Sequence, residues 1–266
     1  MEFSLSREAG CDPDCLDSVE PEPGLVGSRR MSSIPQNLWR RVREIVPIAA
    51  LLGVSLPLLI FAWIADEVGE GDARAFDQSI LLSLRTGDPA DPIGPRWFEG
   101  WVVDISALGG FAVLGLATLL AVGYLLAEKR RADALLLLFA TIGGTAISEG
   151  LKLGFNRPRP DLVAHIVETT SMSFPSGHAM LSAVTYLTLG ALIARAQARR
   201  RLRGYVLGAV ILVTLMIGAS RVYLGVHWPT DVLAGWCLGA AWAMLCWSIA
   251  TQLGLRDAPV KVTQAA

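Results

Sequence analysis

Three short clusters in the second half of the chain hold residues whose types and spacing suit phosphoryl transfer: Lys152 with Arg159-Pro160, then Pro175-Ser176-Gly177-His178, then Ser220-Arg221 with His227 and Asp231. A phosphoryl group nearing its transition state carries charge on its equatorial oxygens, which a metal or fixed cations must meet. Lys152, Arg159 and Arg221 are such cations, the arginines as forks for two oxygens and the lysine as a point charge. No Asp or Glu cluster of metal-binding type accompanies them, so neither a metal nor another cofactor is expected. Any one of these cations alone at a span end reads as a snorkelling anchor. Beside two histidines, that explanation loses.

Pro175-Ser176-Gly177 ends a loop and starts a helix, which places Ser176 at the N-cap. A helix N-terminus is an anion site, so Ser176, the Gly177 amide and the helix dipole suit phosphate oxygens, with Gly177 permitting close backbone approach. A plain N-cap has the same pattern without His178; in the first helical turn, His178 is placed to protonate a leaving oxygen. His227 and Asp231 stand four residues apart across a Trp-Pro-Thr helix start. A carboxylate on one ring nitrogen fixes the tautomer and leaves the other nitrogen free to attack phosphorus. Taken in isolation, the same spacing is a structural His–Asp cap.

The elements that position these clusters follow from composition. In 266 residues, 53% are hydrophobic, and the mean hydropathy of +0.47 is too high for an ordinary soluble domain of this size. The net charge of −1 gives no reason to expect nucleic acid as a partner. Spanning about 30 Å of hydrocarbon takes roughly 20 helical residues. Six apolar runs fit: Ile45 to Ala65, Trp101 to Ala127, Ala134 to Leu151, His178 to Ala194, Gly204 to Ala219 and Val232 to Ile249. Runs such as Ile105 to Ala127 have no polar face, which argues against a soluble helical bundle. Gly235 and Gly239 have the spacing of a close helix contact.

Arginines and lysines set the expected orientation. Arg29 to Arg43, Lys129 to Arg131 and Arg195 to Arg203 all fall on one side of a six-span topology, taken as cytoplasmic with both termini. The three chemical clusters fall on the other side, where Trp63, Trp97, Trp101 and Trp228 suggest an interfacial belt or simple packing. The expected fold is therefore all-α, a six-span transmembrane helical bundle with the active site at its non-cytoplasmic face. Residues 1–40 are expected to be a disordered cytoplasmic tail, 41–256 the six-span domain, and 257–266 a short C-terminal tail. Cys11 and Cys15 lie in the first tail without a second ligand pair for zinc. Between the first two spans, Phe76, Ile80 and Leu84 form an apolar stripe with Arg74, Asp77 and Gln78 off it. That segment reads as a helix lying in the interface as a substrate guide, or as one packed on the protein.

The residues resemble the type 2 phosphatidic acid phosphatase superfamily, which includes bacterial class A acid phosphatases and vanadium haloperoxidases. Its signature is Lys-x6-Arg-Pro, Pro-Ser-Gly-His and Ser-Arg-x5-His-x3-Asp. The chain matches at Lys152 to Pro160, Pro175 to His178 and Ser220 to Asp231, with no departure at any signature position. The likeness in layout extends over about Arg41 to Arg256, on the side of the integral-membrane lipid phosphatases of the phosphatidylglycerophosphatase B and undecaprenyl-diphosphate phosphatase kind.

The resemblance implies a metal-free mechanism in which His227 attacks phosphorus, Asp231 orients it and His178 protonates the leaving oxygen, while Lys152, Arg159, Ser176, Gly177 and Arg221 bind the phosphoryl group. Only the family spacing favours Arg159 over Arg157 for that contact. The Ser220 hydroxyl has a structural alternative. Glu149, one turn before Lys152, is expected to pair with it. His165 either lines the entry or is an exposed loop histidine. The implied partner is a lipid phosphate or isoprenoid diphosphate in the bilayer: phosphatidic acid, phosphatidylglycerol phosphate or undecaprenyl diphosphate. The implied location is a bacterial inner membrane, and the oligomeric state is left open. Other classes that keep the fold are a non-catalytic lipid-binding or transport protein and a vanadium haloperoxidase, the latter disfavoured by six apolar spans.

Overall fold

The structure, a computed structural model, describes residues 36–167 and 171–254. Of the expected tails 1–40 and 257–266, residues 1–35, with Cys11 and Cys15, and all of the second lie outside the described residues, while 36–40 are helical. Residues up to Arg43 form a separate unit, whose described part is the start of the first helix.

The described chain runs through α1 (Gln36–Glu70), α2 (Arg74–Ser83), α3 (Arg96–Ala107), α4 (Phe111–Ala127), α5 (Arg131–Phe155), α6 (Gly177–Ala196), α7 (Arg200–Tyr223) and α8 (Pro229–Gln252). No sheet occurs among the described residues; a lone antiparallel bridge, Arg85 with Pro92, closes the loop after α2. Leu51, Leu52, Leu56 and Leu59 of α1 and Leu116, Leu119 and Leu120 of α4 are all exposed. Apolar patches on that scale are unfavourable in water and are expected against lipid tails. The chain is an integral membrane protein.

Among the described residues, five helices are long and apolar enough to span: Ala50–Glu70 within α1, then α5, α6, α7 and α8. The span expected from Trp101 to Ala127 differs. It is two helices, α3 and α4, bent by 47° at Leu108–Gly110, and makes a sixth span only if the pair counts as one. The cause is local. A Cβ at Gly109 would lie 2.3 Å from Ile217 and 3.3 Å from the His178 ring, so only a glycine lets the bend press onto α6 and α7. The Tyr186 hydroxyl donates to the Leu108 carbonyl left free there, at 2.8 Å.

Helix ends also move relative to the hydropathy reading. Lys152 is in the last turn of α5 and Ser220-Arg221 in the last turn of α7, so neither lies in a loop. Hydropathy drops at these charges, but the helices continue because both side chains are buried with partners, Lys152 with Glu149 of its own helix and Arg221 with Ser106 of α3. Asn156, at φ +46°, ends α5 in the left-handed conformation, and Pro158 and Pro160 then prevent a helix from restarting.

The core is α6 clasped by α5, α7 and α8. Gly235 and Gly239 fit the close contact expected of them: a Cβ would lie 2.8 Å from the Ser176 carbonyl at the first and 2.5 Å from the Met180 carbonyl at the second. Backbone contact at this range draws the α6 and α8 N-termini together, and the Ser176 amide donates to the Asp231 carbonyl at 3.0 Å. The two chemical clusters are joined by that packing.

Helix α2 packs on the protein, and its buried residues are Asp77 and Leu81. Phe76, read from the sequence as part of the apolar stripe, is half exposed, whereas Asp77, read as off it, is fully buried. Charge pairing overrides hydropathy there, as the site geometry shows. Trp63 of α1 and Trp97 and Trp101 of α3 are exposed, but Trp228 packs inward and donates its Nε1 to the Pro158 carbonyl at 3.1 Å.

Candidate active site

His227 follows α7 in a short turn where Gly225 takes φ +76°, and it is only 2% exposed. Pro229 at N1 starts α8, and the Asp231 carboxylate reaches back to the Trp228 amide at 2.9 Å. Asp231 therefore caps its helix and faces His227 with the same oxygen, Nδ1 to Oδ2 at 3.4 Å. The Ser173 hydroxyl donates to that oxygen as well and stands 3.4 Å from the imidazole Nδ1. On the far edge of the ring, Arg159 Nη1 lies 3.2 Å from Nε2. A guanidinium can only donate, so Nε2 carries the lone pair and Nδ1 the proton, directed at Asp231. Burial lowers the His227 pKa from 6.5 to about 4, against the opposing pull of its hydrogen bond and charge contact with Asp231. The imidazole is neutral at ordinary pH.

Arg159 is held by the Ser171 carbonyl at 2.7 Å and the Val226 carbonyl at 2.6 Å. Lys152 donates to Glu149 at 2.7 Å, the pairing expected from one helical turn. A Cβ at Gly177 would stand 3.2 Å from Lys152 Nζ, so the glycine admits the lysine to the α6 N-terminus. Arg221 donates to the Ser106 hydroxyl at 2.7 Å, which ties α7 to α3. Lys152, Arg159, Arg221 and His227 all lie within electrostatic range of His178. Thus all eight residues singled out from the sequence converge at one end of the α5–α8 core. Ser220 donates to the Ile217 carbonyl at 2.6 Å, a structural use of its hydroxyl, and His165 is exposed, with Nε2 2.6 Å from the Pro160 carbonyl.

The buried polar atoms without a partner include the Ser176 and Ser148 hydroxyls and Arg221 Nε. Ser176 sits at the N-cap of α6 yet makes no side-chain cap bond. The Ser148 hydroxyl lies 3.7 Å from the Cβ position of Gly177. Buried donors without acceptors are costly. The two hydroxyls sit by Lys152 and the α6 N-terminus, a place suited to an oxyanion.

Several members of this arrangement escaped the sequence reading. Ser173 stands three residues before Ser176, and Ser148 one turn before Lys152; Ser106 and Asp77 come from distant helices without a local signal. Arg157 was set aside in favour of Arg159, yet its Nη1 donates to Asp231 Oδ1 at 2.6 Å and its Nη2 to Asp77 Oδ2 at 2.7 Å. A cavity of about 390 Å³, lined by Arg74 and Gln78 of α2 together with Asn156, Arg157, Arg159 and Trp228, opens beside the two arginines. An apolar groove of similar volume runs between α1, α2 and α8 past Trp63, Phe76 and Leu233.

A membrane-embedded helical core that presents a neutral buried histidine to fixed cations and unfilled hydrogen-bond donors suits a hydrolase of phosphate esters. Known proteins agree. The PAP2 superfamily domain matches residues 133–254. Phosphatidylglycerophosphatase B of Bacillus subtilis (strain 168) is 34% identical over 147 residues, 54% of this chain and 70% of that protein. The undecaprenyl-diphosphatase of Sulfolobus acidocaldarius is 41% identical over 71 residues, covering 27% of this chain and 30% of its own. The crystal structure of a transmembrane PAP2 type phosphatidylglycerolphosphate phosphatase from Bacillus subtilis aligns with a TM-score of 0.69 at 26% identity, over 76% of this chain and 98% of that one. The chain belongs to the PAP2 superfamily.

Proposed function

We propose that this protein hydrolyses a lipid phosphate monoester or isoprenoid diphosphate at the non-cytoplasmic face of a bacterial inner membrane, through a phosphohistidine on His227 and without a metal. The observation that carries the reading is the buried imidazole held between Asp231 at Nδ1 and Arg159 at Nε2. In the first step Nε2 forms a bond to phosphorus as the P–O bond to the leaving group breaks, and the leaving oxygen takes a proton from His178. In the second, a water oxygen bonds to phosphorus, its proton returns to His178, and the P–N bond breaks to release phosphate. Lys152, Arg159, Arg221, Ser176 and the Gly177 amide hold the equatorial oxygens. The polar cavity beside Arg159 and the apolar groove along α2 suit the head and chain of a lipid. The curated relatives named for lipid phosphates and diphosphates support that substrate class.

The test is phosphate release in detergent micelles containing EDTA, with phosphatidic acid, phosphatidylglycerol phosphate and undecaprenyl diphosphate compared. Release from at least one lipid that survives chelation is expected. Turnover of soluble esters alone would refute the lipid assignment, and dependence on added metal would refute the fixed-cation mechanism.

A further inference from the structure

We propose that Arg157 is a positioning residue for the His227–Asp231 pair and that Asp77 anchors it, so that α2 sets the geometry of the nucleophile through one guanidinium. The proposal rests on the phosphatase reading and deepens it.

The two oxygens of Asp231 have separate duties. Oδ2 faces His227 Nδ1, the Ser173 hydroxyl and the Trp228 amide, while Oδ1 accepts from Arg157. A carboxylate turns about its Cβ–Cγ bond, so whatever fixes Oδ1 also fixes the direction of Oδ2, and with it the tautomer and plane of the imidazole. Arg157 has this position. Its Nη1 is shared between Asp231 Oδ1 and the Thr230 hydroxyl, the latter at 2.8 Å, and its guanidinium carbon lies 5.6 Å from the centre of the Trp228 ring.

The other arm of the fork reaches Asp77. That carboxylate is fully buried and also accepts from the Thr230 amide at 2.9 Å and the Thr230 hydroxyl at 2.7 Å. One guanidinium thus joins two buried carboxylates from α2 and α8. Lysine, a point donor on a flexible stem, cannot span both with fixed angles. Arg157 and Arg159 lie two residues apart on one proline-stiffened segment and meet the His–Asp pair at opposite ends, Arg159 at Nε2 and Arg157 at Oδ1. A bridge that only tied α2 to the bundle would have no need to end on the oxygen paired with the one facing the nucleophile.

The experiment measures kcat and KM for phosphate release by purified full-length protein, for wild type, Arg157→Lys, Asp77→Asn and Arg157→Ala. Arg157→Lys is expected to lower kcat by about 10- to 100-fold, with KM changed by less than about 3-fold. Asp77→Asn should lower kcat in the same sense by a smaller factor. Guanidinium ion added to Arg157→Ala should restore part of the lost kcat, because the side chain it replaces borders the polar cavity. If both conservative variants elute monodisperse with wild-type kcat, or lose KM alone, the proposal is overturned while the phosphatase reading stands. A wild type that releases no phosphate overturns both. Should Arg157→Ala aggregate, the two conservative variants decide.

Discussion

Buried aspartates bridged by arginine occur at both ends of the helical core, and the two ends differ in what stands beside the carboxylates. At one end Asp133, in the first turn of α5, accepts from Arg130 at 2.7 Å and from Arg195 of α6 at 3.0 Å. At the other, Asp231 and Asp77 share Arg157. All three carboxylates are fully buried. At the Asp133 end the hydrogen-bond and ion-pair partners of the carboxylate are arginines, with no histidine among them. At the Asp231 end His227 faces the carboxylate, and the Ser148 hydroxyl and Lys152 gather at the α6 N-terminus, where an anion is attracted. A buried Arg–Asp pair therefore does not mark a site by itself. A histidine beside the pair does, with Lys152 and the α6 N-terminus close by.

The largest effect expected is at the nucleophile. His227→Ala should reduce phosphate release by about 10⁴-fold or more, read in the chelated micelle assay, while Asp133→Asn leaves kcat within about 2-fold in whatever fraction remains folded. Equal losses in both would break the distinction between the two ends. Among the oxyanion donors, Arg221→Ala should cost about 10²- to 10³-fold in kcat, and saturation with substrate should not rescue it. Ser173→Ala, which leaves Asp231 with its other partners, should cost about 10-fold. The smallest kinetic effect belongs to acid: because His227 stays neutral down to about pH 4, the acid limb of kcat/KM that belongs to it should fall near 4 and not near 6.5.

The same shift has a stability consequence of definite sign. Unfolded His227 binds a proton below about 6.5, whereas the folded residue does so only below about 4. Stability is therefore gained as pH rises through that window and lost as it falls. A melting temperature that declines from pH 6.5 to 4, less steeply in His227→Ala, is the expected record. The Asp133 end contributes differently: Arg195→Met leaves Asp133 paired with Arg130, so it should destabilise by about 1–3 kcal/mol, seen as a lower melting temperature with kcat preserved.

Much of the site was legible because its chemistry is local in sequence. His227 and Asp231 share one helix start, Ser176 to His178 another, and Lys152 to Arg159 one helix end, so spacing alone brought each group together. The family resemblance joined the three groups, and Gly235 with Gly239 indicated the contact that packs two of them. The rest was set by tertiary contacts that no spacing encodes. Asp77 reads as the polar face of a surface helix until Arg157, 80 residues away, is placed beside it. The second span looked continuous because hydropathy does not register Gly109 as a bend. The ends of α5 and α7 looked shorter because a buried, partnered charge has the same sequence signal as an exposed one.

The central claim is that His227 becomes covalently phosphorylated. Its most direct test is rapid acid-free quenching of the protein with phosphorus-labelled lipid, followed by mass spectrometry of the peptide around His227. An acid-labile, alkali-stable phosphoryl group on His227, formed faster than phosphate appears and absent from His227→Ala, is the expected result. Phosphate release with no labelled protein at any time point, or a label that persists in His227→Ala, would contradict it.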